Sequence, residues 1–166
     1  TGINWTSCIE LSIRQINWLY SLMLIQDSLK SEPLFLKNVS NSIYDQTNIV
    51  SKNLSLYSSG NNHLISECCI LILAGSVLNH KTWINTGRKF LENQIDNQIN
   101  NDGSSVEQSK SYLLHTIEFY LLSILTLNKN EYEVSLKIFD KLIESVYLLN
   151  SFSFDKDCFW GDNDYG

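Results

Sequence analysis

The stretch Gly60–Glu67 has the sequence GNNHLISE and is followed directly by the apolar run Cys68 to Leu78. Two asparagines just before such a run are good candidates to cap the start of a helix. The four-residue step from His63 to Glu67 brings an imidazole and a carboxylate to one helical face. Because a helix start presents free N–H groups and the positive end of its dipole, this stretch favours an anion beside groups suited to acid/base chemistry.

A second polar stretch, Asp102–Tyr112 with the sequence DGSSVEQSKSY, opens another apolar helix. It brings carboxylate, amide, hydroxyl and phenol groups to the predicted first turns of that helix. In an array of helices, the loops before the inner helices collect at one end. We therefore expect His63 and Tyr112 to converge there, although a purely structural interpretation of either stretch as a capped helix stays open.

The hydrophobic pattern predicts an all-α fold with almost no strand-like alternation. Helices that are apolar nearly all round alternate with amphipathic ones, which is typical of antiparallel helical hairpins in a two-layered array. The six predicted helices are Trp5 to Gln26, a second one beginning at Pro33, Asn62 to Leu78, Lys81 to Gln98, Glu107 to Leu127 and Glu131 to Leu149.

Composition limits the possible classes of protein. A chain of 166 residues with 43% hydrophobic content can bury one core, so residues 1–166 are predicted to form a single domain. The net charge of -6 argues against nucleic-acid binding and against a densely sulfated partner. The apolar run Cys68 to Leu78 is shorter than the roughly 18 residues of a membrane span.

The chain resembles the helical toroid domain of the heparinase II/III-like polysaccharide lyases. The resemblance extends over nearly the whole chain as four blocks in the same order. These blocks are Trp5–Glu10 followed by Ile13–Trp18, then Gly60–Glu67, then Asp102–Tyr112, and finally the sequence GDNDYG at residues 161–166.

This resemblance implies part of an (α/α) toroid whose cleft binds an acidic polysaccharide or oligosaccharide, with cleavage of a uronic-acid-containing chain by β-elimination. Asn62, which directly precedes a histidine, and Tyr112 of the Glu-x-Ser-x-x-Tyr motif correspond to functional residues of the family. His63 is a third catalytic candidate. The resemblance also implies a following β-sandwich domain that supplies a further histidine, so the chain would be an incomplete catalyst.

The remaining candidates are substrate contacts and supporting carboxylates. Asn61 and Gln108 are expected to contact the glycan, and Arg14 either bridges helices or holds a sugar carboxylate through a bidentate contact. Glu67 is expected to orient His63 or to pair with a neighbouring helix. Glu107 is expected to form a capping box with a serine, Ser104, three residues earlier.

Two departures from the family pattern concern Tyr112, since Lys110 stands where many relatives have proline and Leu113 stands where many have histidine. Together with the acidic charge, they keep open a toroid that binds glycan without turnover, for example in capsule or exopolysaccharide production. A helical-repeat scaffold for protein partners is a second alternative. No cofactor or metal is expected, since Asp162 and Asp164 alone make a weak cation site. The compartment stays undecided between bacterial periplasm and cytoplasm.

Overall fold

The computed structural model describes residues 7–57, 60–152 and 160–161. Regular structure in these residues is helical, apart from an isolated bridge between Ile99 and Ser105, so the predicted all-α fold is confirmed. A short 3₁₀ turn, Ser28–Ser31, joins the first two helices. The six helices are α1 Cys8–Leu24, α2 Pro33–Lys52, α3 Asn62–Val77, α4 Lys81–Gln98, α5 Lys110–Lys129 and α6 Leu136–Ser151.

The described residues divide into two compact units, Thr1–Gly87 and Arg88–Gly166, with the boundary inside α4. In the first unit, α3 contacts both α1 and α2. All residues from Leu64 to Ile72 are buried, because α3 is apolar nearly all round and has no broad polar face for water. This confirms the expected enclosure of the third helix.

A row of polar side chains joins α1 to α2 beside this apolar core. Thr47 Oγ1 donates a hydrogen bond to Gln15 Oε1 at 2.8 Å, and Gln15 Nε2 donates to the Leu11 carbonyl at 3.0 Å. Gln15 and Thr47 are fully buried. Since buried polar groups without partners are costly, these bonds fix the register of the two helices as well as their separation.

Glycine allows α4 to approach α3 closely. A Cβ atom added at Gly87 would lie 2.7 Å from the Cys68 carbonyl oxygen and 2.9 Å from Ile72 Cγ1. The first of these is a backbone atom and cannot rotate away. The glycine is therefore required by packing, although it weakens the helix by about 1 kcal/mol relative to alanine.

In the second unit, α5 packs against α6, and the last turns of α4 lie beside α5. The fully buried Tyr120 donates a hydrogen bond from its hydroxyl group to the Leu91 carbonyl at 3.0 Å. This bond satisfies the polar end of a large aromatic side chain in an apolar environment. It also joins two helices that are separated by the loop carrying several of the candidate residues.

Helices α5 and α6 begin later than the sequence pattern predicts. Helix α5 begins at Lys110 instead of Glu107, and α6 begins at Leu136 instead of Glu131. The reason is backbone geometry, since Gln108 and Glu131 have positive φ angles of 53° and 61° and cannot belong to a right-handed helix. Ser109 and Ser135 occupy the N-cap positions instead.

Helix α5 is also less enclosed than predicted. Leu114, Leu121 and Leu125 have exposed fractions of 48%, 47% and 66%. In the described part of the chain, α5 therefore buries one side and presents a leucine-rich side to solvent.

None of the helices within the described ranges is long and apolar enough to cross a membrane. Cys68 and Cys69 are completely buried and Cys8 is half-buried, and within the described residues these three cysteines form no disulfide. Burial raises the pKa of Cys68 well above its usual range. These cysteines behave as the small hydrophobic side chains expected from their position in an apolar run.

We predict that Gly87→Ala destabilises the protein by about 1–2 kcal/mol, because overpacking against α3 costs more than the helix propensity gained by alanine. Urea unfolding of the full chain measures this difference. Asn85→Ala is the matched control, since Asn85 is exposed on the same helix and its replacement should change stability by less than about 0.5 kcal/mol. Equal stability of Gly87→Ala and the wild type would contradict the close approach.

Candidate active site

The start of α3 is formed as the sequence predicts, but its cap is unusual. Asn61 occupies the N-cap position and its side chain makes no capping hydrogen bond. Its Oδ1 atom is buried and accepts no hydrogen bond from any residue that the structure describes. Asn62 and His63 follow as the first two helical residues, both half-buried. An amide oxygen left in this condition is costly, so simple capping does not account for Asn61.

Glu67, one turn further along α3, is fully buried, and its carboxylate is bonded to the preceding loop. The backbone N–H and the hydroxyl group of Ser55 each donate a hydrogen bond to this carboxylate, both at 2.7 Å. Burial raises the pKa of Glu67, and the two bonds from Ser55 lower it by a smaller amount. Among the described residues, the carboxylate therefore binds Ser55 in the segment that follows α2 and makes no hydrogen bond to His63.

Arg14 bridges α1 and α2. Its Nε and Nη2 atoms donate to Gln46 Oε1 at 3.1 and 2.7 Å, and its guanidinium carbon lies 5.9 Å from the centre of the Trp18 ring. These contacts correspond to the helix-bridging interpretation. A guanidinium carries five N–H donors, so the bonds to Gln46 do not exclude a further contact with a sugar carboxylate. That sugar contact stays a prediction.

The start of α5 differs from the predicted capping box. Ser109 is the N-cap residue, and its hydroxyl oxygen accepts a hydrogen bond from the Tyr112 backbone N–H at 3.4 Å. Ser104 instead donates its hydroxyl hydrogen to Asp102 Oδ1 at 2.6 Å, and its backbone N–H bonds the same oxygen. These bonds hold the pKa of Asp102 below its usual range.

Glu107 is likewise placed differently from the prediction. It lies before the helix, where its backbone N–H donates to Ser105 Oγ at 3.1 Å, so its expected role in a capping box is wrong. Gln108 is exposed, and Tyr112 is half-buried in the first turn of α5. Leu113, the departure beside Tyr112, is completely buried.

The short segment Trp160–Gly161 lies directly against the start of α5. The Trp160 carbonyl accepts a hydrogen bond from the Lys110 backbone N–H at 3.1 Å, and Lys110 Nζ lies 5.9 Å from the centre of the Trp160 ring. Gly161 has a φ angle of +75°, and a Cβ added there would collide with the Gln108 carbonyl oxygen. The segment thus satisfies a free N–H group of the helix that carries Tyr112.

The candidate residues form two groups, one in each unit. Arg14, Asn61, Asn62, His63 and Glu67 belong to Thr1–Gly87, and Glu107, Gln108 and Tyr112 belong to Arg88–Gly166. The meeting of the two groups at one cleft stays a prediction. Within the ranges that the structure describes, no three His, Cys, Asp or Glu side chains are arranged to hold a metal ion, and Asp162 and Asp164 lie outside those ranges.

Sequence reasoning missed three supporting residues: Ser55, Ser109 and Trp160. Ser109 could have been found, because it precedes Tyr112 by the three residues that separate an N-cap from the backbone N–H it accepts. The contacts of Ser55 and Trp160 could not, since their partners are 12 and 50 residues away in sequence and no local spacing rule links them.

The fold and the site together define an all-α protein with polar side chains at the start of two of its helices. The model of the family described as heparinase II/III N-terminus matches residues 1–152, so the chain belongs to this family. The predicted resemblance is confirmed.

A curated relative, a heparin-sulfate lyase of Bacteroides thetaiotaomicron, is 38% identical over 69 residues, which covers 39% of this chain and 10% of the relative. The match therefore spans about a tenth of the length of that relative. No solved structure matches the chain significantly.

We predict that Glu67 makes stability fall as the pH rises above about 4.5. The folded pKa of this carboxyl group is raised above its ordinary value of 4.5, so its contribution is complete below that pH and is lost as the pH rises through the raised pKa. In urea unfolding between about pH 4.5 and 7, Glu67→Gln should become increasingly stable relative to the wild type.

Ser55→Ala is the companion variant. It removes a hydroxyl donor that stabilises the charged carboxylate, so the loss of stability with rising pH should be steeper than in the wild type. Parallel pH profiles for the wild type and Glu67→Gln would contradict the raised pKa.

We predict that Gly161→Ala destabilises the contact of Trp160–Gly161 with α5 by more than about 1 kcal/mol, because the new side chain requires both a strained φ angle and space occupied by Gln108. Faster hydrogen exchange of the Lys110 amide would report the loss of its bond to Trp160. Glu118→Ala is the control, since Glu118 is exposed on the same helix. Unchanged exchange of the amide at position 110 in Gly161→Ala would contradict this arrangement.

Proposed function

We propose that this chain is the helical part of a polysaccharide lyase that cleaves a uronic-acid-containing glycan by β-elimination. The observation that carries the proposal is the family match over residues 1–152. The name of the curated relative, a heparin-sulfate lyase, supports an acidic glycan as the substrate. The net charge of -6 favours a carboxylated glycan with little or no sulfate, because the overall field opposes the approach of a dense polyanion.

The reaction defines what the candidate residues must do. A base removes the proton on C5 of the uronate, the electron pair forms the C4–C5 double bond, and the bond from C4 to O4 breaks. The departing O4 then takes a proton from an acid. Negative charge develops on the uronate carboxyl group before the bond breaks, so donors placed in advance around this group lower the barrier most effectively.

The start of α3 is suited to stabilising that charge. Asn62 stands at the first helical position, where backbone N–H groups and the helix dipole favour an anion. We assign to Asn62 the contact with the uronate carboxyl group, and to His63 the polarisation of the same group or part of the proton transfer. Asn61, whose buried side-chain oxygen accepts no hydrogen bond within the described chain, is proposed to contact a sugar hydroxyl.

The start of α5 supplies the second half of the chemistry. We assign to Tyr112 the protonation of O4, with removal of the C5 proton as a further role. Its backbone is fixed by Ser109, so the first turn that carries the phenol is formed before any ligand binds. Gln108 is proposed to contact the glycan from the exposed loop just before this turn, and the β-sandwich domain of the full protein is proposed to complete the catalytic residues.

The decisive test is incubation of the full-length protein with a panel of uronate polymers, followed by ultraviolet absorbance of the 4,5-unsaturated product. Tyr112→Phe should lower kcat by about 10²–10⁴-fold, because it removes the acid, and Asn62→Ala should lower it by about 10²–10³-fold, because it removes a charge-stabilising donor. Tyr147→Phe is the matched control, since Tyr147 is an exposed phenol on α6.

An alternative function is glycan binding without turnover, favoured by the complete burial of Leu113 where many relatives have histidine. Calorimetric binding of a uronate polymer with no unsaturated product would support this alternative. Absence of both binding and product across the panel would contradict both functions and leave the helical scaffold.

A further inference from the structure

The loop between α4 and α5, residues 99–109, carries Gln108 and ends at the residue that caps the helix of Tyr112. We propose that Lys141 on α6 is a positioning residue for this loop, and that it holds Gln108 in the geometry that binds the glycan. The inference rests on the proposed function, because it concerns the same site. It is carried by the contacts of Lys141 within the second unit.

Lys141 is bonded to the beginning of the loop at two points. Its Nζ atom donates to the Ile99 carbonyl at 3.0 Å and to Asn101 Oδ1 at 2.7 Å. The carboxylate of Asp96, near the end of α4, lies 3.9 Å away and gives a weaker ionic contact. The two hydrogen bonds and this ion pair together direct the ammonium group toward the loop.

The burial of Lys141 shows that these contacts are specific. Its side chain is only 13% exposed, whereas lysine side chains are rarely buried unless they are paired. Removing an ammonium group from water is unfavourable, so it persists here because the carbonyl and amide oxygens replace its lost hydration. These bonds also involve a charged donor, which makes them stronger than neutral ones.

A continuous set of backbone bonds leads from Ile99 to Gln108. Ile99 and Ser105 form the isolated bridge, in which the Val106 N–H donates to the Gln98 carbonyl at 3.0 Å. The Gln108 N–H then donates to the Ser105 carbonyl at 2.9 Å. Since each bond fixes the next segment, a shift at Ile99 changes the position of Gln108.

A second contact shows that the loop backbone lies directly on α6. Gly103 has a φ angle of +81°, and a Cβ added there would collide with the Glu144 carbonyl group and lie 2.6 Å from the Ser145 nitrogen. Glu144 and Ser145 are on the turn of α6 that follows Lys141. Two contacts therefore hold the loop against this one turn of α6. One is the buried ammonium group of Lys141, and the other is the close approach of the Gly103 backbone to the α6 backbone.

Lys137, one turn before Lys141 on α6, provides a matched control. It forms an ion pair with Asp96, but the side chains of this pair are 53% and 49% exposed. Its side chain makes no hydrogen bond to residues 99–109 in the described structure, and exposed ion pairs contribute little. Removal of Lys137 tests the loss of a positive charge from α6 with the bonds to the loop kept.

The experiment compares Lys141→Ala, Lys141→Arg and Lys137→Ala in the full-length protein. Hydrogen exchange of the loop amides reports the order of the loop whether or not the protein is active. Steady-state kinetics on a cleaved uronate polymer reports KM and kcat separately. We expect Lys141→Ala to accelerate exchange at Gly103, Val106 and Gln108, and to raise KM about tenfold with little change in kcat, because Gln108 contributes to binding and Tyr112 stays on its helix.

Lys141→Arg should restore much of the lost affinity, since it keeps a cation at the same place, and Lys137→Ala should resemble the wild type. Unchanged exchange in Lys141→Ala overturns the proposal, and so does faster exchange with an unchanged KM, because Lys141 would then support only the fold. The two proposals fail distinguishably: an inactive, non-binding wild type overturns the proposed function together with the role of Lys141, whereas an active wild type with these negative results overturns the role of Lys141 alone.

Discussion

The enclosure of α3 is the constraint on which the rest of the first unit depends. A helix surrounded by protein cannot send its polar groups to water, so each must be satisfied by neighbours. Ser66 donates its hydroxyl hydrogen to the His63 carbonyl, and Glu67 accepts both donors of Ser55. The buried carboxylate therefore holds Ser55, in the segment that follows α2, against the enclosed helix.

The two helix starts are prepared in different ways. At α5, the cap of Ser109 and the Trp160 carbonyl satisfy groups of the first turn, and the loop before it is tied to α6. At α3, the N-cap side chain makes no capping bond and its oxygen is buried, with no donor in the described chain. The second arrangement is costly for stability, and such strained or unsatisfied groups concentrate where proteins bind ligands.

The helices could be predicted well where the hydrophobic pattern agrees with residues that typically begin or end a helix. Helix α4 has the predicted bounds, and Pro33 stands at the first position of α2. The start of α5 could not be predicted, because Ser104 and Glu107 have the spacing of a capping box, whereas Asp102 binds Ser104 and the positive φ angle of Gln108 breaks the helix. Local sequence does not reveal which of several competing polar contacts is formed.

The candidate site could be predicted only as residue types at helix starts. Ser55, the partner of Glu67, lies 12 residues earlier in a loop, and Trp160, the partner of Lys110, lies close to the C-terminal end of the sequence. Neither pairing follows from periodicity. The predicted meeting of Asn62 and Tyr112 is a matter of how whole helices pack, which periodicity does not encode. That information is tertiary, which is why the family resemblance contributed what spacing could not.

The adjacent thiols of Cys68 and Cys69 sit in the middle of the enclosed helix. The reactive form of cysteine is the thiolate, and burial raises the pKa of Cys68 well above its usual range. An alkylating reagent can therefore modify this position only when α3 separates from its surroundings. The rate at which this thiol is alkylated therefore measures how often α3 opens.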